Sequence, residues 1–293
     1  MKWGILTIDT PSSNRGNRFI EYSVRTLLGL PPPSVSVPMF SVPTSDNIDN
    51  LNSCDFVILP GSTILADGKK QGEAMESLQH VSVPKFCIAA GSWEPQYKLN
   101  KRILPCLTEP IGIRDPVTYN QVLKLGYKCI FTGCPTAYLD KLSVTSKKFA
   151  VVGFARKWSA WQGAYFSSLQ GPLVAAVQEE RAELSAGKKL ASSVFTYEDP
   201  CEVVTKYAES TMVITGRLHG VLPAMSQEKP VVFFGDAADS RFSLLTRLGI
   251  KINKIGSDWR KFTVNYPKEY TPKVAALKRN FLSWKSQTTD KFV

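Results

Sequence analysis

Metal-binding and redox motifs are scarce in this sequence. It has only two histidines, His80 and His219, and its six cysteines never occur as a CxxC pair, the spacing typical of zinc and thioredoxin-like sites. Most of the cysteines lie in apolar stretches, as Cys87 does, and are expected to be reduced core residues. A metal site is therefore not predicted, and a histidine acid or base has only two candidates.

Long hydrophobic runs are also missing. No apolar stretch approaches the ~18 residues expected of a membrane-spanning helix, and the amino-terminal residues turn polar too early for a signal peptide. Hydrophobic residues make up 43% of the 293 positions, as in an ordinary globular protein. We therefore expect a soluble, cytoplasmic protein with a sizeable core.

The chain is basic, with 36 Lys and Arg against 25 Asp and Glu and a formal charge of +11. The basic residues form no long run, and no zinc finger or base-stacking motif accompanies them, so nucleic-acid binding is not expected. The positive charge fits either an ordinary solvated surface or an anionic partner. Such a partner would be a charged substrate or a carrier at the inner face of a membrane, with peripheral association of the protein.

Short apolar segments alternate with segments of helical periodicity along the whole chain. The predicted strands are Trp3–Ile8, Phe56–Leu59, Lys85–Ala90, Pro110–Ile113, Lys128–Phe131, Phe149–Phe154, Lys189–Phe195, Met212–Thr215 and Pro230–Phe234. Helices are predicted over Asn17–Gly29, from Asp115 to Gly126, over Leu173–Leu184, from Asp199, from His219, over Ser240–Leu248 and from Thr271. This alternation predicts an α/β protein with parallel sheets.

The elements fall into two sets of similar length, with a change near residues 140–148. We therefore predict two Rossmann-like domains, 1–145 and 146–293, that face each other across a cleft. The second would end in an amphipathic helix, and one stripe of that helix is expected to pack against the fold. The stripe consists of Val274, Leu277, Phe281 and Trp284.

Ligands of open parallel sheets bind beyond the carboxyl ends of the strands, so the loops after the strands are candidate sites. None of these loops is a P-loop or a GxGxxG turn. Each is either an ordinary turn or a loop whose backbone N–H groups contact an anion or a sugar. The candidates in three such loops are Asn14, Gly16 and Asn17; Gly61 and Ser62; and Gly91, Ser92 and Glu94.

Arg114 is a more informative residue, because it ends a predicted strand just before a helix that starts at Asp115. A guanidinium at a helix start adds a planar fork of donors to the free backbone N–H groups, which suits a carboxylate or a phosphate. The alternative is an arginine that pairs with a neighbouring carboxylate.

The strongest local signal is the segment 215–224, TGRLHGVLPA, which follows an apolar strand and opens a helix. Arg217 and His219 could reach one ligand if the junction between them is not yet helical. Gly216 and Gly220 would let a ligand or backbone approach closely. The alternative is a structural histidine beside a surface arginine. His80 has no comparable neighbours and is expected to be structural.

Several of these stretches, taken in order, resemble the polysaccharide pyruvyltransferase family. They are 213–220 (VITGRLHG) with 229–232 (KPVV) and 247–249 (RLG), the loop 14–17 (NRGN), the element 113–118 (IRDPVT) closed by 125–126 (LG), and the turn 133–135 (GCP). Together they span residues 14 to 249. Each motif is short, and the ordered set carries the resemblance.

This resemblance implies a GT-B-type arrangement of the two domains and a phosphoenolpyruvate donor. The acceptor would be a sugar diol, and the product a pyruvate ketal on a polysaccharide or lipid-linked glycan. Family members place the matching residues at the donor, namely Arg114, Gly216, Arg217, Leu218 and His219. The family often has a lysine about twenty residues after the histidine; this chain has Asp239 there and Arg241 two residues later, so Arg241 joins the donor-binding candidates.

In the implied reaction His219 is the general acid, and Arg114 and Arg217 stabilise the departing phosphate. The base for the sugar hydroxyl is not identified, and Glu94, Asp236 and Asp239 are its candidates. The scheme requires no metal and no other cofactor.

Two alternatives to this function stay open. One is a GT-B-type glycosyltransferase that uses a nucleotide sugar, with Arg217 and Arg241 on the diphosphate. The other is a non-catalytic protein that binds a sugar or an anion.

Overall fold

The computed structural model describes residues 1–8, 15–67, 69–92, 98–153, 169, 171–178, 185, 187–255 and 257–293. The chain divides into two compact units. The first unit comprises Met1–Ser12, Ile20–Pro135 and Ala276–Val293, and the second comprises Ser13–Phe19 and Thr136–Ala275. Each unit contains parallel β-structure with helices, which confirms the predicted α/β class.

The first unit contains a four-stranded sheet in the order β2-β1-β3-β4 and a two-stranded sheet, β5-β6. Its strands are β1 (Trp3–Thr7), β2 (Val35–Pro38), β3 (Phe56–Leu59), β4 (Lys85–Cys87), β5 (Ile111–Ile113) and β6 (Cys129–Phe131). A parallel bridge between Ala90 and Ile113 connects the two sheets. All four residues of β3 are fully buried, as expected for a parallel strand covered on both faces.

Four α-helices begin among the described residues of the first part of the chain. They are α1 (Gly16–Leu28), α2 (Ser45–Asn52), α3 (Lys69–Glu76) and α4 (Pro116–Lys124). The predicted start of α4 is confirmed, because the Asp115 side chain accepts a hydrogen bond from the Thr118 backbone N–H at 2.9 Å. Proline at the first helical position loses no bond there, since that N–H has no partner within a helix.

The second unit contains six parallel strands in the order β12-β11-β10-β7-β8-β9. They are β7 (Ala150–Gly153), β8 (Leu173–Val177), β9 (Ser193–Thr196), β10 (Met212–Thr215), β11 (Val231–Gly235) and β12 (Ile252–Lys254). The helices whose bounds lie among the described residues of this unit are α5 (Pro200–Glu209), α6 (Leu218–Ser226), α7 (Ser243–Leu248) and the start of α8 (Pro267–Gln287). The strand order reverses between β7 and β10, and this switch point is where doubly wound sheets bind ligands.

One predicted element is wrong. The helix predicted over Leu173–Leu184 does not begin there, because Leu173–Val177 is strand β8, paired in parallel with β7 and β9. Residues 179–184 of that prediction lie outside the described residues. All five of its residues are buried, and a short run that is apolar on every side has no periodicity to separate a buried strand from a helix. The strand predicted from Lys189 begins later, at Ser193, because residues 187–190 are helical.

The two units differ from the predicted domain boundaries in three ways. The segment Ser13–Phe19 belongs to the second unit. The change falls after Pro135, and the last residues, from Ala276, belong to the first unit. In that unit, Trp284 Nε1 donates to the Pro110 carbonyl at 2.9 Å and Asn280 Nδ2 donates to the Phe131 carbonyl at 2.8 Å. All four residues of the predicted apolar stripe are buried, as expected. No helix in the described residues combines the length and the apolar character that a membrane crossing requires.

Candidate functional site

The switch point of the second unit is built around Thr215, the last residue of β10. Thr215 is fully buried, and its Oγ1 accepts a hydrogen bond from the Arg217 backbone N–H at 3.0 Å. A methyl group on Gly153 or on Gly220 would lie 2.6 Å from that same oxygen. Glycines at the end of β7 and in the first turn of α6 therefore allow these elements to meet.

Arg217 occupies the position just before α6 and has an extended backbone, with φ −108° and ψ 132°. The sequence analysis required a non-helical junction for Arg217 and His219 to reach one ligand. Arg217 meets this requirement, because it precedes the helix. Gly216 packs on the Phe234 ring so closely that a methyl group there would approach Cε2 to 2.5 Å. Leu218, which opens α6, is half-buried.

The His219 side chain lies beside the loop that contains Gly16. A methyl group on Gly16 would lie 2.7 Å from His219 Nδ1 and 2.8 Å from Gln178 Oε1. His219 is 8% exposed and Gln178 is 2% exposed. We call Gly16, Gln178, Arg217 and His219 the histidine site. Two motifs far apart in the sequence, the amino-terminal loop and the segment from Thr215, therefore meet in the second unit.

The amino-terminal loop is fixed to the second unit by its neighbours. The Arg15 backbone N–H donates to the Gln178 carbonyl at 3.1 Å, and Arg15 Nη1 donates to Glu198 Oε1 at 2.5 Å. The Phe19 ring packs edge-on against Tyr197, with 6.2 Å between the ring centroids. Asn17 is half-buried within α1, and Asn14 lies outside the described residues.

Sequence reasoning missed three residues of this neighbourhood, Gln178, Tyr197 and Glu198. All three come directly after strands β8 and β9. The rule that ligand-binding residues follow parallel strands would have found Gln178 if β8 had been recognised. The mistaken helix placed residue 178 in the middle of an element and hid it.

A second cluster lies in the first unit, around Arg114 at the end of β5. Arg114 is 3% exposed, and neither its Nε nor its Nη2 has a hydrogen-bond partner among the described residues. A methyl group on Gly91 would lie 2.6 Å from Nη2, so the guanidinium lies directly against the backbone there. Buried guanidinium donors without partners are costly unless a ligand or another group supplies acceptors.

The predicted alternative for Arg114 was a neighbouring carboxylate. Asp115 is that neighbour, with its Oδ2 3.9 Å from Arg114 Nε. Both Asp115 oxygens already accept hydrogen bonds from Thr118, Oδ1 from the backbone N–H and Oδ2 from the hydroxyl, each at 2.9 Å. The Ser92 N–H donates to the Thr118 hydroxyl at 2.9 Å. Asp115 therefore supplies charge near the guanidinium but no hydrogen bond to it.

The loops that meet this cluster have unusual backbone conformations. Gly61, Ser62 and Ala89 all have positive φ, at 96°, 75° and 57°, and non-glycine residues in this region are concentrated at functional sites. The Gly91 N–H donates to the Ser62 carbonyl at 2.9 Å. The candidate loops after β3, β4 and β5 are thus joined in one unit. We call Gly91, Ser92, Arg114, Asp115 and Thr118 the arginine site; Glu94 lies outside the described residues.

Arg241 is bound within its own turn. Its Nε donates to both Asp239 carboxylate oxygens, at 2.9 and 3.0 Å, and Nη2 also contacts Asp239. Both Asp239 oxygens therefore already accept hydrogen bonds from the Arg241 guanidinium, which makes Asp239 a weak candidate for the base that acts on the sugar hydroxyl. Asp236 accepts a hydrogen bond from the Ala238 N–H at 3.0 Å and lines an open cavity beyond the ends of β11 and β12.

The cysteines are free, and burial weakens some of them as nucleophiles. All six are free thiols, and Cys54, Cys87 and Cys134 are buried as expected, whereas Cys201 is exposed. Burial raises the pKa of Cys129 to about 11 and raises the pKa of Cys87 as well. Both therefore stay protonated at neutral pH, and a protonated thiol is a weak nucleophile. Within the described part of the chain, no three His, Cys, Asp or Glu side chains are grouped to hold a metal ion.

The fold is similar to that of several solved proteins. S. aureus MnaA, solved with UDP, matches with a TM-score of 0.57 and 14% identity over 97% of this chain and 91% of that chain. The UDP-GlcNAc 2-epimerase of Methanocaldococcus jannaschii, solved with UDP-GlcNAc and UDP, matches with a TM-score of 0.51 and 12% identity over 95% of this chain and 100% of that one. These likenesses confirm the predicted GT-B-type fold class.

No curated protein sequence matches the chain significantly. A family model does match: that of the polysaccharide pyruvyl transferases covers residues 8–236. This range contains the amino-terminal loop, Arg114 and the segment from Thr215, which are the features that the fold collects into the histidine and arginine sites. The chain belongs to the polysaccharide pyruvyl transferase family.

Proposed function

We propose that this protein transfers the pyruvyl group of phosphoenolpyruvate to a sugar diol and forms a pyruvate ketal on a polysaccharide or a lipid-linked glycan. The observation that carries the proposal is the buried Arg114 guanidinium, whose Nε and Nη2 have no partner among the described residues. A small planar oxyanion completes such a fork. Phosphoenolpyruvate offers two anions, a carboxylate and a phosphate, on a three-carbon frame.

The donor-binding residues in this proposal are Arg114 and Arg217. Arg217 stands at the amino-terminal end of α6 with an extended backbone, and the helix N-terminus adds partial positive charge for a phosphate or carboxylate. Each arginine presents a planar set of donors that a lysine does not have. Arg241 is a weaker donor ligand, because its ion pair with Asp239 must first open.

His219 supplies the proton in this scheme. Carbon 2 of phosphoenolpyruvate becomes electrophilic when carbon 3 accepts a proton, and an imidazole has the pKa range that such a general acid requires at neutral pH. His219 lies in the first turn of α6, where the helix dipole disfavours its charged form. The negative charges of the bound donor act in the opposite direction and favour the imidazolium.

The reaction balances without another reactant. Carbon 3 receives a proton from His219 and becomes a methyl group, and the oxygen of one sugar hydroxyl bonds to carbon 2. The bond between carbon 2 and the phosphate oxygen breaks, and inorganic phosphate leaves with both electrons. The second hydroxyl then bonds to carbon 2 and closes the ketal. Of the two hydroxyl protons, one restores His219 and the other leaves with phosphate.

The direct test is phosphate release from phosphoenolpyruvate in the presence of a panel of sugar acceptors, with mass spectrometry of the sugar product. The proposal expects phosphate and pyruvylated sugar in equal amounts. The proposal is contradicted if phosphoenolpyruvate stays intact with every acceptor and also fails to raise the melting temperature of the protein.

A nucleotide-sugar donor is the second candidate, because the chain shares its fold with S. aureus MnaA, solved with UDP. Thermal shift with phosphoenolpyruvate and with a panel of nucleotide sugars separates the two candidates. Stabilisation by nucleotide sugars alone favours a glycosyltransferase. Binding of sugars or anions with no turnover of either donor favours a non-catalytic protein.

Gly16→Ala is expected to lower pyruvyl transfer by about 100-fold, the scale at which ~1 Å displacements near a reacting centre act. The added methyl group would lie 2.7 Å from His219 Nδ1, so the imidazole must move. The measurement is kcat with phosphoenolpyruvate and an active acceptor.

Gly29→Ala is the matched control at the other end of α1. Gly29 has φ 64° with nothing within 4 Å of an added methyl group, so this variant is strained but crowds no side chain. It is expected to lower the melting temperature and leave kcat unchanged. Equal kcat values for Gly16→Ala and the wild type would show that the loop does not fix the imidazole.

A further inference from the structure

The carbonyl of His219 lacks its ordinary helical partner. In an α-helix this carbonyl accepts a hydrogen bond from the N–H of the residue four positions later. That residue is Pro223, which lies inside α6 and has no N–H. A buried carbonyl without a donor costs free energy, so another group must serve the first turn of the helix.

Tyr197 supplies a donor to that carbonyl. Its hydroxyl donates to the His219 oxygen at 2.8 Å, and the contact is buried. The Tyr207 hydroxyl lies 2.6 Å from the Tyr197 hydroxyl. Because the Tyr197 proton points to the carbonyl, Tyr207 is the donor in this second bond. Burial raises the pKa of Tyr207 above its ordinary value, so it keeps that proton at neutral pH.

Tyr197 also contacts the other element beside the imidazole. Its ring packs edge-on against Phe19 of α1, three residues after Gly16. On its other side it stacks on Phe195, with 6.4 Å between the centroids. Tyr197 is only 1% exposed and has little freedom to move. It therefore contacts α6 through the His219 carbonyl and α1 through Phe19.

We propose that Tyr197 is a positioning residue for His219, required because Pro223 removes the helical hydrogen bond that would otherwise hold the His219 backbone. The hydroxyl of Tyr197 sets the first turn of α6 and thereby the place of the imidazole against Gly16. This role deepens the proposed function, on which its kinetic consequence rests.

The test compares Tyr197→Phe with the double variant Tyr197→Phe/Pro223→Ala. The single variant loses the hydroxyl donor and keeps the ring, and kcat is expected to fall by about 10-fold or more while KM for phosphoenolpyruvate stays within about twofold. Alanine at 223 restores a backbone N–H four residues after His219, so the double variant is expected to recover most of the lost kcat.

Tyr270→Phe is the matched control, since the Tyr270 hydroxyl also donates to a backbone carbonyl, that of Lys229, in the same unit. It is expected to lose stability and keep its kcat. Wild-type kcat in Tyr197→Phe, or a loss that Pro223→Ala does not recover, overturns the proposal.

A second readout separates this proposal from the function itself. With only two histidines in the chain, imidazole NMR signals are assigned by comparison with His80→Ala. Tyr197→Phe is expected to shift the His219 ring signals and their titration midpoint. In the double variant Tyr197→Phe/Pro223→Ala, both are expected to return to their wild-type values. Unchanged His219 signals overturn the positioning role whether or not phosphoenolpyruvate is turned over; an inactive wild type with shifted signals overturns only the function.

Discussion

His219→Ala is expected to lower the turnover of phosphoenolpyruvate at least ~100-fold, the low end for loss of a general acid. The imidazole lies at the switch point of the second unit, in the first turn of α6 and against Gly16. Without it, carbon 3 of the donor must take its proton from water. The measurement is kcat for ketal formation under saturating donor and acceptor.

His80→Ala is the natural control for this variant, because it removes the only other imidazole in the chain. His80 is exposed, in a short 3₁₀ helix of the first unit, and its loss is expected to change neither kcat nor KM. The assignment of the acid is wrong if His219→Ala turns over at a rate near that of His80→Ala.

Arg114→Lys is expected to weaken phosphoenolpyruvate binding by about 10- to 100-fold, the range for losing hydrogen bonds to a charged group. Lysine keeps the positive charge beside Asp115 and thus the local charge balance, but it cannot present a planar fork of donors. Because Asp115 keeps a positive charge beside it, the variant tests how Arg114 binds the donor and does not leave the Asp115 carboxylate buried without a cation. Isothermal calorimetry with phosphoenolpyruvate measures the dissociation constant, and a melting scan confirms that the variant is folded.

Arg102→Lys serves as the control in the same unit. The Arg102 side chain is 80% exposed and forms an ion pair with Glu76, and an exposed pair of this kind contributes little to stability or binding. Its dissociation constant for phosphoenolpyruvate is expected to equal that of the wild type. The role of Arg114 in donor binding fails if the two lysine variants bind the donor equally well.

The local sequence pattern indicated candidate site residues but not the residues that surround them in the fold. Arg114 and His219 were candidates because each lies where an apolar strand is followed by a helix, and their roles at the site stay a prediction. Tyr197 and Gln178 were missed because their roles depend on contacts between distant parts of the chain. Pro223 and its missing N–H are evident from the sequence. The group that replaces this N–H, the Tyr197 hydroxyl, could be identified only from the fold.

The arginine site shows a second limit of sequence reasoning. Gly61 and Gly91 were candidates because they lie in loops that follow predicted strands, and Gly61 has the positive φ that glycine readily adopts. Ser62 and Ala89 adopt positive φ as well, and nothing in a serine or an alanine signals that conformation. The edge strands β2 and β12 were also missed, because tertiary pairing rather than local pattern determines such strands.

Neither unit is a continuous stretch of chain, and this bears on synthesis in the cell. Trp284 and Asn280 donate hydrogen bonds to carbonyls at Pro110 and Phe131, between 149 and 174 residues earlier. The part of the protein that leaves the ribosome first therefore reaches its final form only after residues near 284 have emerged. Until then the Pro110 and Phe131 carbonyls lack these two donors, and a ribosome stalled before that point would hold an incomplete first unit.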